Sequence, residues 1–569
     1  MGKGKKVNIR ERRRHGKYNF LIRGNRNGEP FVAEMYQGGE QPYFTLRWQE
    51  DEGEIHIRII PKDFDDYGNP VGELTLESVS MTFPWSCRGG RNPEQIFMNG
   101  YQSWTDSHEH TIFEKEPAIS PLAAGMVEKY YLDRYGDVNF TMKPKGTGQF
   151  HGFTYCYFRD GEQYRFLGSL SERAGFTVFY YNGTAQQMTI EKDCAGLKIS
   201  EEWNAFDLVE LSGTEDQVFD FYFEKMNISK PSGKPMTGYT SWYNHYQNIS
   251  EQIIMENLEH VHEMGQNLDV FQIDDGYQTY VGDWLDVNAD KFPAGLEPVV
   301  DQIHEYGMKA GLWLSPFVCE KNSGCYHEHP DWLVKDECGN PVCGGSNWST
   351  FYALNLELSQ VQDYLREVFR QVLDVWGFDL VKLDFLYGAC MQPTSYKTRG
   401  QLMCEAMDFL RELVGDKLIL GCGVPLGPAF GKVDYCRIGP DVGLDWDGSP
   451  KEKLLHRERV STKNTIGNTI YRRQLNGRAF WNDPDVYLLR DDNIKLSTKQ
   501  KALLAQVNGL FGGLLFTSDD VGSYDAEKRE LQQSLTGLHG AARRVERKGR
   551  YTIVRYQGQD GEKELKVKL

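Results

Sequence analysis

From residue 19 to about residue 230, apolar and polar side chains alternate in short runs. Examples are Tyr43-Phe44-Thr45-Leu46-Arg47-Trp48, Glu54-Ile55-His56-Ile57-Arg58-Ile59-Ile60 and Gly175-Phe176-Thr177-Val178-Phe179-Tyr180-Tyr181. A strand sends successive side chains to opposite faces, so this period of two, punctuated by Gly, Asn and Asp, predicts a large antiparallel β-sandwich. Pro231-Ser232-Gly233-Lys234-Pro235 reads as a linker. Beyond it, short apolar runs alternate with longer stretches of helical period. Eight runs qualify as strands: 237–242, 270–273, 309–314, 380–383, 418–421, 435–438, 479–481 and 513–516. Helical patterns cover 250–264, with Ser250 placed as N-cap, and 296–306, 360–376 and 399–414. Eight β-then-α repeats predict a central (β/α)8 TIM barrel. A six-stranded open sheet gives much the same alternation, but no Gly-rich dinucleotide fingerprint follows the first strand and there is no P-loop.

The expected organisation is multidomain: a basic flexible tail over 1–18, an N-terminal antiparallel β-sandwich over 19–232, a barrel over 233–525, and a short C-terminal β region over 526–569. That last region holds one helix-like stretch and strand-like runs at 551–556 and 564–567. The net charge of −17, from 64 basic and 81 acidic residues, argues against a nucleic-acid or anionic-membrane partner and favours a neutral substrate. The basic start, Lys3 to Lys17, lacks the apolar core of a secretory signal, and no stretch approaches a membrane span. Eleven scattered cysteines fit free thiols in a reducing compartment, so the expected location is cytoplasmic. Cys319, Cys325, Cys338 and Cys343, with His327 and His329, lie in one segment. Their gaps of five, twelve and four residues are not the short paired spacing of zinc motifs, so no metal is expected.

In a barrel, residues just past the C-terminal ends of the strands build the active site. Those positions hold Asp274-Asp275, Lys382-Leu383-Asp384, Asp441, Asn482-Asp483-Pro484-Asp485 and Asp519-Asp520, with Trp242, Trp313 and Trp481 beside them. A single such Asp is often a helix cap; acids on five strands form a pattern. Glycoside hydrolysis needs two carboxyls flanking the scissile bond, more carboxylates to accept hydrogen bonds from sugar hydroxyls, and aromatic faces for apolar contact. Lys382 and Asp384, two apart on one strand, point the same way, so the ammonium is expected to keep Asp384 ionised.

Asn99-Gly100-Tyr101-Gln102-Ser103-Trp104, Asp274-Asp275-Gly276-Tyr277-Gln278, Gly282-Asp283-Trp284, Lys382-Leu383-Asp384, Gly421-Cys422-Gly423, Arg437-Ile438-Gly439-Pro440-Asp441 and Trp481-Asn482-Asp483-Pro484-Asp485 occur in this order. Together they resemble glycoside hydrolase family 36, the α-galactosidases, over roughly residues 90–525. The resemblance implies Asp384 as nucleophile and Asp441 as general acid/base, with Asp445 and Asp447 nearby as alternatives. It implies Asp274, Asp275, Lys382 and Arg437 as sugar-binding groups, Trp313 as a wall, Cys422 on the C2 side, and Trp104 reaching over from the β domain. Asp483 and Asp485 are expected to support the rim. No metal and no organic cofactor is implied.

The activity so implied is retaining hydrolysis of terminal α-galactosides, in oligosaccharides or glycoconjugates. Homo-oligomers are common among large barrels of this type, and a homo-oligomer is open here. An α-N-acetylgalactosaminidase would differ only around C2. A galactosyltransferase of the raffinose-synthase type is disfavoured by the short chain, and a non-catalytic galactoside-binding protein by the intact Asp384 and Asp441. A metal-dependent hydrolase lacks its His cluster. Two departures bear on the leaving group: the C-terminal tail is shorter than in many relatives, and the loop 319–343 after strand three could shape that subsite.

Overall fold

The computed structural model describes residues 18–231, 233–265, 268–454 and 456–569. The basic tail expected over 1–18 thus lies outside the described residues except for Tyr18, as does Ser232 of the linker.

Alternation of apolar residues folds the first part into two antiparallel sheets. In Glu54–Pro61, Ile55, Ile57 and Ile59 are buried while the residues between them are not. One sheet runs, in spatial order, through Glu29–Tyr36, Asn19–Arg26, Leu74–Pro84, Gln187–Lys192, Thr177–Asn182 and Gln149–Phe153, with Leu197–Ile199 also on Leu74–Pro84. The other runs from Gly39–Glu40 through Phe44–Asp51, Glu54–Pro61, Trp203–Gly213, Gln163–Ser169, Tyr155–Asp160 and Gln95–Met98 to Glu109–His110. Their inner faces share one core that includes Phe20, Ile57, Met81, Phe179 and Phe206.

The second part is a curled parallel sheet of nine segments, which are eight strands. In order they are Met236–Thr240, Val270–Ile273, Lys309–Leu314, Leu380–Leu383, Leu418–Gly421, Tyr435–Arg437, the pair Trp481–Asp483 and Val486–Tyr487, and Leu514–Thr517. Strand seven is split because Pro484 has no N–H for the ladder and Asp485 adopts a left-handed φ of 69°. Its first piece pairs with strand six and its second with strand eight. Strand eight pairs with strand one, which closes the curl. Ser250 caps the helix Glu251–Glu263 as the sequence indicates, its side chain accepting from the Ile253 N–H. Several boundaries shift; strand seven, expected over 479–481, begins at Trp481 and resumes at Val486–Tyr487. Strand one ends at Thr240, and Trp242 opens the short helix Trp242–His245. The stretch read as one helix over 360–376 is an α-helix, Ser359–Arg370, followed by a π-turn, Gln371–Val375.

The C-terminal region has three strands rather than two: Ala542–Lys548, Tyr551–Gly558 and Gly561–Lys568. Only Val545 is buried in the first, whose charged run Arg543-Arg544-Val545-Glu546-Arg547 hides the alternation. Among the described residues no helix is long and apolar enough to cross a membrane.

Two buried polar junctions tie sandwich to barrel. At the first, fully buried Arg472 donates to Asn99 Oδ1 (3.1 Å) and to the carbonyls of Ser103 (2.8 Å) and Ile438 (2.9 Å). Burial lowers its guanidinium to about 10, so it stays charged at neutral pH.

At the second junction, His151 Nε2 faces Asp137 Oδ2 at 2.6 Å and Nδ1 faces Glu116 Oε1 at 2.7 Å. Arg457 from the barrel pairs with the same two carboxylates at 2.8 Å each. Burial by itself lowers the imidazole, but the two carboxylates outweigh it and raise its pKa. A raised folded value contributes stability in full below the unfolded value, about 6.5, and that contribution is lost as pH rises through the folded value. His151→Gln is therefore expected to lower the melting temperature most near pH 6. The gap from wild type should narrow as pH rises through the raised folded value. Melts across that range check it; a gap that widens toward alkaline pH contradicts an imidazolium at this junction.

Candidate active site

The C-terminal ends of the barrel strands open into a cavity of about 380 Å³. Seven of the nine residues singled out from the sequence line it: Trp104, Asp274, Asp275, Trp313, Lys382, Asp384 and Asp441. Cys422 and Arg437 sit directly behind the wall. Cys422 Sγ accepts from Trp104 Nε1 at 3.3 Å, and Arg437 donates to Asp441.

Asp384 ends strand four at the floor, 8% exposed. Its Oδ1 accepts from the Phe385 N–H (2.8 Å) and its Oδ2 from Trp313 Nε1 (3.2 Å). Phe385 holds a left-handed φ of 51°, uncommon for a bulky residue, with its ring packed against Trp104, Trp348 and Phe351. This bend fixes the direction of Asp384. Gly423 makes room for it: a Cβ there would lie 2.9 Å from the Phe385 nitrogen and 3.0 Å from Trp104 Cη2.

The pairing of Lys382 departs from the sequence reading. Lys382 Nζ binds Asp274 Oδ2 at 2.8 Å, across the barrel interior, and not Asp384. Burial lowers the ammonium, but Asp274 more than compensates and holds it protonated. Lys382 therefore acts on Asp384 only through space. Burial raises the Asp384 carboxyl, and the Lys382 charge pulls it back in part.

Asp274 takes most of its donors on one oxygen, which leaves acceptor capacity on Oδ1. Beside Lys382 its Oδ2 accepts from Gln272 Nε2 (3.0 Å) and Thr240 Oγ1 (3.2 Å), and its Oδ1 from the Asp275 N–H (2.9 Å). Asp275 accepts from Gln278 (2.6 Å), Gln247 (2.9 Å) and Trp348 Nε1 (2.9 Å). Its burial raises its pKa, and these donors oppose the shift.

Asp441 lies at the mouth, its side chain 37% exposed. Arg437 Nη1 donates to it at 2.7 Å; the same guanidinium reaches Asp483 through Nε (3.2 Å) and Asp485 through Nη2 (3.0 Å). Asp483 and Asp485 thus lie behind Arg437 and not on the cavity. Of the alternatives to Asp441, Asp447 is held by Arg459, Ser461 and Lys453, and Asp445 accepts from the Gly448 N–H; neither lines the cavity. Asp519 is bound by Arg490 and Tyr524, and Asp520 accepts from the Gly522 N–H, so strand eight contributes no acid to the cavity.

Several lining residues escaped the sequence reading: Tyr135, Asn347, Trp348, His456 and Glu458. Trp348 lies in the turn between Cys343–Gly345 and Phe351–Ala353, two strands of a small sheet that also includes Val318–Glu320, so the loop after strand three does build one wall. Tyr135 comes from the β domain and donates to Asn347 Oδ1 across the mouth (2.5 Å). Among the described residues no His, Cys, Asp and Glu group has the arrangement of a metal site.

Residues 216–402 match the family profile described as Melibiase. Over 145 residues, 24% of this chain and 19% of the relative, the sequence is 32% identical to "Alpha-galactosidase 2" of Pediococcus pentosaceus. Over 131 residues, 21% and 12% of the two chains, it is 34% identical to the "A type blood alpha-D-galactosamine galactosaminidase" of Flavonifractor plautii. These matches span about a fifth or less of the relatives' own length. Among solved structures, the α-galactosidase TtGalA of Thermus thermophilus, in complex with p-nitrophenyl α-D-galactopyranoside, aligns with a TM-score of 0.70. It is 26% identical, over 96% of this chain and 98% of that one. The GH36 α-galactosidase AgaA of Geobacillus stearothermophilus aligns at 0.59 with 14% identity, over 91% and 71%, a likeness of fold. A β-sandwich beside a barrel whose mouth gathers carboxylates and tryptophans into one cavity is the architecture this chain shares with those structures. Residues 216–402 carry the Melibiase family profile, and the whole chain shares the fold of the solved α-galactosidases.

Proposed function

We propose that the protein is a retaining α-galactosidase that removes terminal α-D-galactosyl residues from oligosaccharides or glycoconjugates. The observation that carries this reading is the asymmetry of two acids on one cavity, with Asp384 buried on the floor and Asp441 half-exposed at the mouth. A nucleophile belongs where it meets only the sugar. An acid/base must exchange protons with water between the two steps.

In the first step Asp384 attacks the anomeric carbon, the glycosidic C–O bond breaks, and Asp441 gives its proton to the leaving oxygen. In the second, Asp441 takes a proton from water, the resulting oxygen bonds to the anomeric carbon, and the bond to Asp384 breaks. Two inversions leave the product in the α configuration, which calls for carboxyls about 5–5.5 Å apart. Asp274 and Asp275 accept from hydroxyls of the galactose, while Lys382 pairs with Asp274 and holds it in place. Trp313 and Trp348 present apolar faces. The relatives solved in complex with stachyose support an α-galactoside oligosaccharide as the substrate class.

Galactose is favoured over N-acetylgalactosamine. What supports this is the side the family resemblance assigns to C2, where Cys422 closes against Trp104 at 3.3 Å and both are buried.

The test compares p-nitrophenyl α-galactoside with its N-acetylgalactosaminide for wild type and Asp441→Asn, with the first-formed anomer read by NMR. Expected are cleavage of the galactoside, α-galactose first, and a loss of about 10²–10⁴-fold in Asp441→Asn on substrates with a poor leaving group. First-formed β-galactose contradicts retention; exclusive cleavage of the N-acetyl sugar moves the specificity; no cleavage of either removes the hydrolase reading.

A further inference from the structure

Asp485 stands out as a buried acid that touches no substrate surface yet holds both handles of Asp441. Its Oδ1 accepts from Arg437 Nη2 at 3.0 Å, and Arg437 Nη1 carries the Asp441 carboxylate at 2.7 Å. Its Oδ2 accepts from the backbone N–H of Val442, the residue after Asp441, at 2.8 Å, and from the Tyr243 hydroxyl. One carboxylate thus fixes the side chain of Asp441 through the guanidinium and its main chain through the next amide. The break in strand seven makes this reach possible. After Pro484, the left-handed φ of 69° turns Asp485 inward to where strand six ends, and its own N–H is taken by Asp483 Oδ1 at 2.8 Å. Such a conformation costs energy on a non-glycine residue and persists only where its surroundings fix it.

We propose that Asp485 is the positioning residue for Asp441, setting both the place and the acid strength of the group that protonates the leaving oxygen. This rests on the reading of Asp441 as acid/base. The groups facing Asp485 are Arg437 from strand six, Asp441 from the loop after it, Tyr243 from the helix after strand one, and Asp483 on its own strand. Arg437 is the one cation among three carboxylates, so its charge is divided among them. Burial raises Asp485 to about 6 against the pull of Arg437, and it is mostly anionic at neutral pH. An anion there draws part of the guanidinium charge away from Asp441. Without that anion the guanidinium charge would fall more fully on the Asp441 carboxylate it holds.

The test measures kcat/KM against pH for Asp485→Asn, on p-nitrophenyl α-galactoside and on an α-1,6-galactosyl hexose. The nitrophenolate leaves with little help from an acid; the sugar alkoxide does not. Expected is a fall of about 10–100-fold on the disaccharide, a much smaller fall on the nitrophenyl substrate, and an alkaline limb moved down by about one pH unit, because Arg437 then favours ionised Asp441 more strongly. Tyr243→Phe, which removes one donor from Asp485 and so reduces its charge, should move the limb the same way by less. If Asp485→Asn does not fold, the limb of Tyr243→Phe decides. Equal losses on both substrates with the limb unmoved overturn the inference and leave the hydrolase reading intact. Wild type cleaving neither substrate overturns the hydrolase reading, and this inference with it.

Discussion

Asp384→Ala should reduce turnover of α-galactosides by on the order of 10⁴–10⁶-fold while the protein melts at or above the wild-type temperature at neutral pH. The loss follows from the site: Asp384 lines the cavity, buried and aimed by the Trp313 and Phe385 bonds. The stability follows from its surroundings. Burial raises its pKa, so its ionised form is disfavoured in the fold; that penalty is absent below the unfolded value, about 3.9, and grows as pH rises through the folded value. Removing the charge removes the penalty at pH 7. Adding azide to the variant should restore turnover. The anion enters the space left by the carboxylate, bonds to the anomeric carbon as the leaving oxygen takes its proton from Asp441, and yields β-galactosyl azide. Product analysis by NMR reads this directly. A variant that keeps wild-type turnover, or an azide product of α configuration, contradicts the assignment of Asp384.

Lys382→Met should be the most destabilising single change at the site. Lys382 and Asp274 form a buried pair, and removing one partner leaves the other as an uncompensated charge. The expected cost is about 3–5 kcal/mol, which lowers the melting temperature by roughly 6–20 °C at 2–4 °C per kcal/mol. In the double variant Lys382→Met, Asp274→Asn the orphaned charge is gone, and Gln272 and Thr240 still satisfy the side-chain oxygen. Most of the lost stability should return without the activity. A double variant no more stable than Lys382→Met would show that the pair is not what holds this part of the barrel.

The barrel strands were legible because all but the seventh are short unbroken apolar runs between helical periods. The strand-end acids were legible for the same reason, since the end of a run places them. What each acid binds was not legible. Lys382 and Asp384 share a side of one strand, but inward residues of alternate strands form layers across a barrel, and Lys382 reaches over strand three to Asp274. Trp348 and Tyr135 arrive from loops whose course depends on tertiary contacts. Strand seven was read as ending near its break, because Pro484 interrupts both the ladder and the apolar run. The strand Ala542–Lys548 escaped because a nearly two-sided exposed strand buries one residue and leaves no alternation to detect.

The Arg472 junction has a consequence for how the molecule is made. Asn99, Gly100, Gln102 and Ser103 are buried in the finished structure, and Asn99 Oδ1 and the carbonyls of the other three are met by a guanidinium; the donor to the Ser103 carbonyl lies 369 residues downstream. At roughly 5–20 residues per second, a ribosome delivers that donor about 20–70 s after the acceptors emerge. The sandwich can close in that interval. The segment that presents Trp104 to the sugar pocket has its β-domain partners early but lacks its guanidinium until most of the barrel has been synthesised, so the catalytic wall is among the last parts of the nascent chain to set, and that interval is when a holdase chaperone would have something to hold.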